Sequence, residues 1–181
     1  MHEIILPVAK PALEWVRGRP LQKVSPRRKH ALAQLRFAGA LEAWAAKRAS
    51  GTVGTEWEFR LQPPGEVRRP LVPDVAFVSF ERLPFDEGPA TDLPPVAPDA
   101  VVEVLSPDDR RDDVDEKLRV YLACGVLVVF LVDTESRTIF AHDGDGAAAF
   151  DGQAVIRHDA LPGFAMRASR LFEPIRPRRS S

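Results

Sequence analysis

The sequence predicts an α/β domain with a mixed central sheet flanked by helices. Three observations predict it. Residues 100–132 read as strand, helix and strand, a crossover unit whose two strands run parallel. Residues 53–61 and 71–80 read as strands of the antiparallel kind. Residues 25–51 carry an apolar stripe at helical spacing.

Each element has its own local signals. In the first helix Ser25 can cap, Pro26 suits the first turn and Gly51 closes the segment. Leu32, Leu35, Ala38, Leu41 and Ala45 form its stripe. In "VGTEWEFRL", 53–61, Val53, Thr55, Trp57, Phe59 and Leu61 face one way and the polar residues face the other. "PPGEVRRP" turns the chain, and "LVPDVAFVSF" is a second strand interrupted by Pro73. The Pro-rich acidic segment over about 82–98 has no apolar period and is expected to be a surface loop. A helix is expected over 112–123, with Val114, Leu118, Tyr121 and Leu122 on one stripe and Gly125 at its end. "VLVVFLV" at 126–132 suits a buried strand, and "RTIFAH" follows across a turn. "DGDG" at 143–146 and "DG" at 151–152 mark tight turns. Residues 1–173 are expected to form one domain, with 174–181 a loose tail.

Composition narrows the classes. A net charge of −1 over 181 residues excludes a generally basic, histone-like protein but not a local basic surface. One cysteine, Cys124, permits no intrachain disulfide, so a reducing cytoplasm is the expected compartment. No apolar run approaches the ~20 residues of a membrane span, and the N-terminus lacks a signal-peptide core. A soluble cytoplasmic protein is expected. Self-association into a homo-oligomer is left open.

The run Ala100–Leu105 holds one charge, Glu103, among residues that read as core. A buried carboxylate requires a partner or a cation. Asp74 follows Pro73 on the preceding strand, so two carboxylates on adjacent strands can converge on one divalent ion. Hard oxygen ligands suit Mg²⁺ or Mn²⁺. Lys117 borders the buried stripe of the second helix and can neutralise Glu103 or hold a water that attacks a phosphodiester. Arg119 is an alternative partner for Glu103. Glu56 lies on the polar face of its strand, as a surface residue or an accessory ligand. Ser106 reads as a cap rather than a nucleophile, and the acidic run 108–116 as a solvated helix start. Residues 17–29 hold Arg17, Arg19, Lys23, Arg27, Arg28 and Lys29 with no acid, a weak sign of a polyanion partner.

"RRPLVPDVAFV", "PDAVVEVLSP", "DEKLRVYLACGV", "VFLVD" and "LPGF…LF" together resemble the Uma2 family of restriction-type endonucleases, within the PD-(D/E)XK nuclease superfamily. The likeness covers nearly the whole chain, and 98–133 is its specific part. It implies a restriction-endonuclease-like fold, with Asp74 as the "PD" acid and Glu103 as the "(D/E)" acid. The superfamily lysine two residues on is absent, because position 105 is Leu. In this family the following helix supplies it, which implies Lys117. His30 occupies the family's N-terminal histidine position. The implied activity is metal-dependent hydrolysis of DNA. A non-catalytic nucleic-acid-binding relative and an interaction module with a structural Glu103–Lys117 pair are the rivals.

Overall fold

The computed structural model describes residues 3–23, 25–85, 88 and 91–174. The tail expected at 174–181 therefore lies outside the described residues except for Pro174. The chain opens with a hairpin of β1 (Leu13–Val16) and β2 (Arg19–Gln22). Val16 pairs with Arg19, leaving a two-residue turn. Arg17 and Gly18 both take positive φ there (51° and 74°), as such a turn requires.

The first helix, α1, spans Arg28–Arg48 and is shorter at both ends than expected. Ser25 does not cap it. Arg27 holds the cap position with no side-chain bond, and Ala49 ends the helix in the left-handed conformation. The buried face is Ala33, Phe37, Leu41, Trp44 and Ala45, while Leu35 is exposed. The expected stripe is thus rotated by about one residue, because Phe37 and Trp44 are larger than Leu35 and Ala38 and remove more area from water.

The single strand expected over 53–61 is two strands, β3 (Gly51–Thr55) and β4 (Phe59–Leu61), in different sheets. The break falls at Glu56, whose φ of 52° no strand tolerates. The next run also divides, at Pro73, into β5 (Arg69–Leu71) and β6 (Val75–Ser79). β4 pairs with β5, and β3 with β6.

The crossover unit forms as expected. β7 (Ala100–Leu105) and β8 (Val128–Asp133) are parallel neighbours joined through α2 (Arg111–Ala123). β9 (Thr138–His142) and β10 (Ala147–Phe150) continue antiparallel around the "DGDG" turn. β11 (Val155–Ile156), β12 (Met166–Arg167) and a short 3-10 turn, Ala168–Leu171, complete the described chain. The main sheet has the order β10-β9-β8-β7-β6-β3.

Both sheet faces are covered, which is why β7 and β8 are almost wholly apolar. Ala100, Val102 and Val104 pack toward α1 with Phe37, Trp44 and Phe130. Val101 and Leu105 pack on the other side with Val120 and Tyr121 of α2 and with Val16, Phe59 and Leu71 from the small sheets. Phe37 is fully buried with its ring centroid 5.1 Å from Phe130, so truncation to Ala costs about 3–5 kcal/mol. Strand alternation sends Glu103 to the α2 side, and that decides its surroundings.

Candidate active site

The site forms where β6 and β7 meet the opening hairpin and α2. Val75 pairs with Val102, so Asp74 lies just off the end of β6, beside Glu103 and Val104. Pro73 breaks β5 from β6 and leaves the Val104 amide without a continuing ladder partner from a strand. The Asp74 carboxylate takes its place: Val104 N donates to Asp74 Oδ2 at 2.7 Å. A buried amide satisfied by a side chain holds that side chain in one orientation.

Lys117 reaches the cluster from α2. Its ammonium lies 2.7 Å from Glu103 Oε1 and 3.0 Å from Glu14 Oε2. Tyr121, one helical turn further on, donates its hydroxyl to the same Glu103 oxygen at 2.7 Å. Both donors therefore converge on Glu103 Oε1. Glu14 is fixed in turn by the Val72 amide, which donates to Oε1 at 2.8 Å. Arg119, the alternative partner, is engaged elsewhere, with Glu66 and Glu116.

A second ammonium, Lys23, holds the other acid. Its Nζ lies 2.7 Å from Asp74 Oδ1 and 3.1 Å from Glu56 Oε2, and donates to Val72 O at 2.8 Å. His30 Nε2 is 3.2 Å from Asp74 Oδ2, while its Nδ1 is buried without a partner among the described residues. Gln34 donates to both Glu56 Oε1 and Asp74 O.

Asp74, Glu103, Lys117 and His30 thus line one cavity of about 960 Å³, together with Glu14, Lys23 and Tyr121. Glu56 stands at its margin through Lys23. Of the residues singled out for the site, Arg119 alone is engaged away from the cluster. Glu14, Lys23 and Tyr121 were missed in these roles. Glu14 shares the buried face of its hairpin strand with Val16 and alternates with half-buried Leu13 and Trp15, a spacing legible in the sequence. In the sequence Lys23 is one member of a basic run and Tyr121 one position of an apolar stripe, and neither pattern points to the acids.

Three buried carboxylates, Glu14, Asp74 and Glu103, face two ammonium groups. The electrostatics follow from that excess. Burial pushes the Glu103 carboxyl up to about 7; Lys117 opposes the shift, and Asp74 and Glu14 reinforce it. Asp74 is displaced the other way: burial raises it, but the His30 hydrogen bond and the Lys23 charge prevail and hold it well below the usual range. Burial disfavours the Lys117 ammonium, yet Glu103 and Glu14 keep it firmly protonated. Burial also opposes His30 protonation, and the Asp74 hydrogen bond and charge outweigh it, so the imidazole titrates above its ordinary value.

These donors fit a hard divalent cation in type. They are carboxylate and carbonyl oxygens with no sulfur, they carry surplus negative charge, and the Lys23 ammonium stands where positive charge is wanted. No group of three or more His, Cys, Asp or Glu residues among those described is gathered as a ready-made metal cage. Mg²⁺ needs none, since one or two carboxylates with water and substrate phosphate suffice.

The cavity rim is charged on both sides. Arg17 pairs with Asp112, Arg19 with Asp113, Arg27 with Asp108 and Lys29 with Glu135. The start of α2 is therefore not a freely solvated acidic face: Asp113 is buried and bound to Arg19 at 2.6 Å. Ser106 organises the turn before α2, with its amide donating to Asp109, and Arg110 rather than Ser106 holds the cap position.

A mixed six-stranded sheet with a helix on either face, and an acid–lysine cluster beside its central strands, define an α/β fold of the restriction-endonuclease kind. The chain belongs to the Uma2 family, described as "Putative restriction endonuclease", whose profile matches residues 4–169. A similar solved structure is a "putative nuclease belonging to DUF820" from Anabaena variabilis ATCC 29413, 24% identical, with a TM-score of 0.81 over 92% of this chain and 93% of that chain. That likeness speaks to the fold. No curated protein matches the chain. No helix among the described residues is long and apolar enough to cross a membrane.

Proposed function

We propose that this chain is a nuclease that hydrolyses phosphodiester bonds in DNA with the help of Mg²⁺ or Mn²⁺. The observation that carries the reading is the convergence of Asp74, Glu103 and Lys117 on one cavity in a member of a restriction-endonuclease family. Asp74 and Glu103 would hold the ion, which supplies Lewis-acid polarisation of the phosphate and a more acidic bound water. Lys117, locked by Glu103 and Glu14, keeps a positive charge fixed beside the reacting phosphate, where negative charge develops. Its helix position supplies the cation that Leu105 cannot. Glu14 and Tyr121 orient that pair. The Arg17, Arg19, Arg27 and Lys29 side chains would trade their acidic partners for backbone phosphates as DNA enters. A cytoplasmic location belongs to the same reading.

One observation favours a second reading, a nucleic-acid-binding relative without turnover. Asp74 and Glu103 are each already bound to an ammonium, so the pocket is partly compensated without metal. Incubation of supercoiled and single-stranded DNA with the protein over a Mg²⁺ and Mn²⁺ titration separates the two. Metal-dependent cleavage by wild type, abolished in Glu103→Ala and Asp74→Asn, supports the nuclease. DNA retention with no cleavage at any metal concentration supports the binder.

A further inference from the structure

Lys23 comes from the residue after β2, far in sequence from the acids it holds. Its ammonium meets three oxygens: Val72 O at 2.8 Å, Asp74 Oδ1 at 2.7 Å and Glu56 Oε2 at 3.1 Å. Val72 and Asp74 flank the Pro73 break, and Glu56 sits at the break between β3 and β4, so two chain interruptions place these oxygens around one point. The Lys23 side chain is only 11% exposed, so water contributes little to neutralising Asp74 and the ammonium shares that task with His30. Two carboxylates and a carbonyl form a hard-oxygen set of the kind a small divalent cation takes.

We infer that Lys23 is the internal cation of this site: it occupies the oxygens of Val72, Asp74 and Glu56, competes with a divalent ion for Asp74, and on displacement turns its ammonium to the substrate phosphate. The inference rests on the nuclease reading and adds a residue that neither the family motif nor the sequence pattern assigns.

Competition for one oxygen favours exchange over joint occupancy. Asp74 Oδ1 already meets the Lys23 ammonium at 2.7 Å, so a divalent ion on that carboxylate would face a like charge at close range in a poorly solvated place. The two lysines also differ in how they are held. Lys117 is tied to two buried carboxylates on the covered α2 side of the sheet. Lys23 stands on a flexible four-carbon stem beside the rim residues Arg27, Arg28 and His30, all of which line the cavity. Its movement would carry one positive charge from the acid to the incoming phosphate with no other rearrangement of the pocket.

Mn²⁺ binding by electron paramagnetic resonance tests this, with wild type, Lys23→Met, Lys23→Arg and Asp74→Asn. Removal of a competing charge should tighten Mn²⁺ binding in Lys23→Met by about tenfold or more. Lys23→Arg, which keeps the charge, should bind no more tightly than wild type, and Asp74→Asn should bind poorly. At saturating Mn²⁺, Lys23→Met should show a lower kcat for DNA cleavage, restored in part by Lys23→Arg. Mn²⁺ affinity in Lys23→Met equal to or below that of wild type overturns the inference and leaves the nuclease reading standing. Absence of Asp74-dependent Mn²⁺ binding in both proteins removes the metal reading itself, and this inference with it. If Lys23→Met folds poorly, its melting temperature should rise more with Mn²⁺ than that of wild type, and an equal or smaller rise is again a refutation.

Discussion

Lys117 Nζ lies 2.7 Å from Glu103 Oε1 and 3.0 Å from Glu14 Oε2, so one buried ammonium bridges a helix, a central strand and the opening hairpin. The bridge is structural whatever else it does. Breaking a buried pair commonly costs about 3–5 kcal/mol because the remaining charge is stranded. Which partner is removed therefore decides the size of the effect.

Glu103→Gln should be mild for stability. Lys117 keeps Glu14, and the count of buried carboxylates against ammonium groups falls from three against two to two against two. The expected loss is ~0–2 kcal/mol, a few degrees in melting temperature for a chain of this size. On the nuclease reading, DNA cleavage should disappear, along with the Mg²⁺-dependent rise in melting temperature expected of wild type. A loss beyond about 3 kcal/mol would show that Glu14 does not compensate.

Lys117→Met should be severe, at about 3–5 kcal/mol near neutral pH. It leaves Glu14 and Glu103 buried together without their cation. Glu103, already raised by burial, would lose the main charge that opposes the rise, so the variant's stability should fall more steeply than that of wild type as pH rises. Urea unfolding at pH 5 and pH 8 measures this. An equal penalty at both values would contradict the arrangement.

Wild type should itself be less stable at pH 8 than at pH 5. Glu103 has an ordinary value of 4.5 and a folded value of about 7, so the folded state binds the extra proton between them. Stability from this group is fully present below 4.5 and lost as pH rises to about 7, on the order of 3 kcal/mol in all. His30, raised from 6.5, adds a loss of the same sign as pH climbs through its folded value. Asp74, lowered from 3.8, acts oppositely: its contribution is present above 3.8 and lost as pH falls toward its depressed folded value. Thermal unfolding from pH 3 to pH 9 should therefore show a maximum on the acid side of neutrality. Glu103→Gln should flatten the descent between 4.5 and 7.

Tyr121→Phe removes the hydroxyl that donates to Glu103 at 2.7 Å and leaves the ring packing in place. A buried hydrogen bond to a charged group is worth about 1.5–3 kcal/mol, and a loss in that range is expected. The Glu103 carboxylate, deprived of a donor, should titrate at a higher pH still. Carbon-13 detection of the side-chain carboxyls reads that shift directly, and an unmoved titration would mean the hydroxyl does not support the charge.

The crossover from β7 through α2 to β8 was legible because it depends on local signals. An apolar run of six, a helical stripe and a closing glycine specify their conformations without distant help. Glu103 was legible for the same reason, since a lone acid in such a run demands compensation wherever the chain goes. Strand breaks at Glu56 and Pro73 were harder. The alternation of 53–61 continues through Glu56, and only the positive φ of that residue, imposed by the separate pairings of β3 with β6 and β4 with β5, divides it.

By itself, the sequence determined the α/β class, the parallel pair at the centre of the sheet and the acids that need a cation. Only the tertiary structure decided which cations answer them. Glu14, Lys23 and Tyr121 reach the cluster because a hairpin and a helix close over the α2 face of β7, bringing residues 14 and 117 onto one oxygen–ammonium contact. The physical reason is separation along the chain. Side-chain periodicity reports which face of its own element a residue occupies, whereas charge partners are chosen by packing between elements, where one buried carboxylate selects whatever ammonium the fold delivers within about 3 Å.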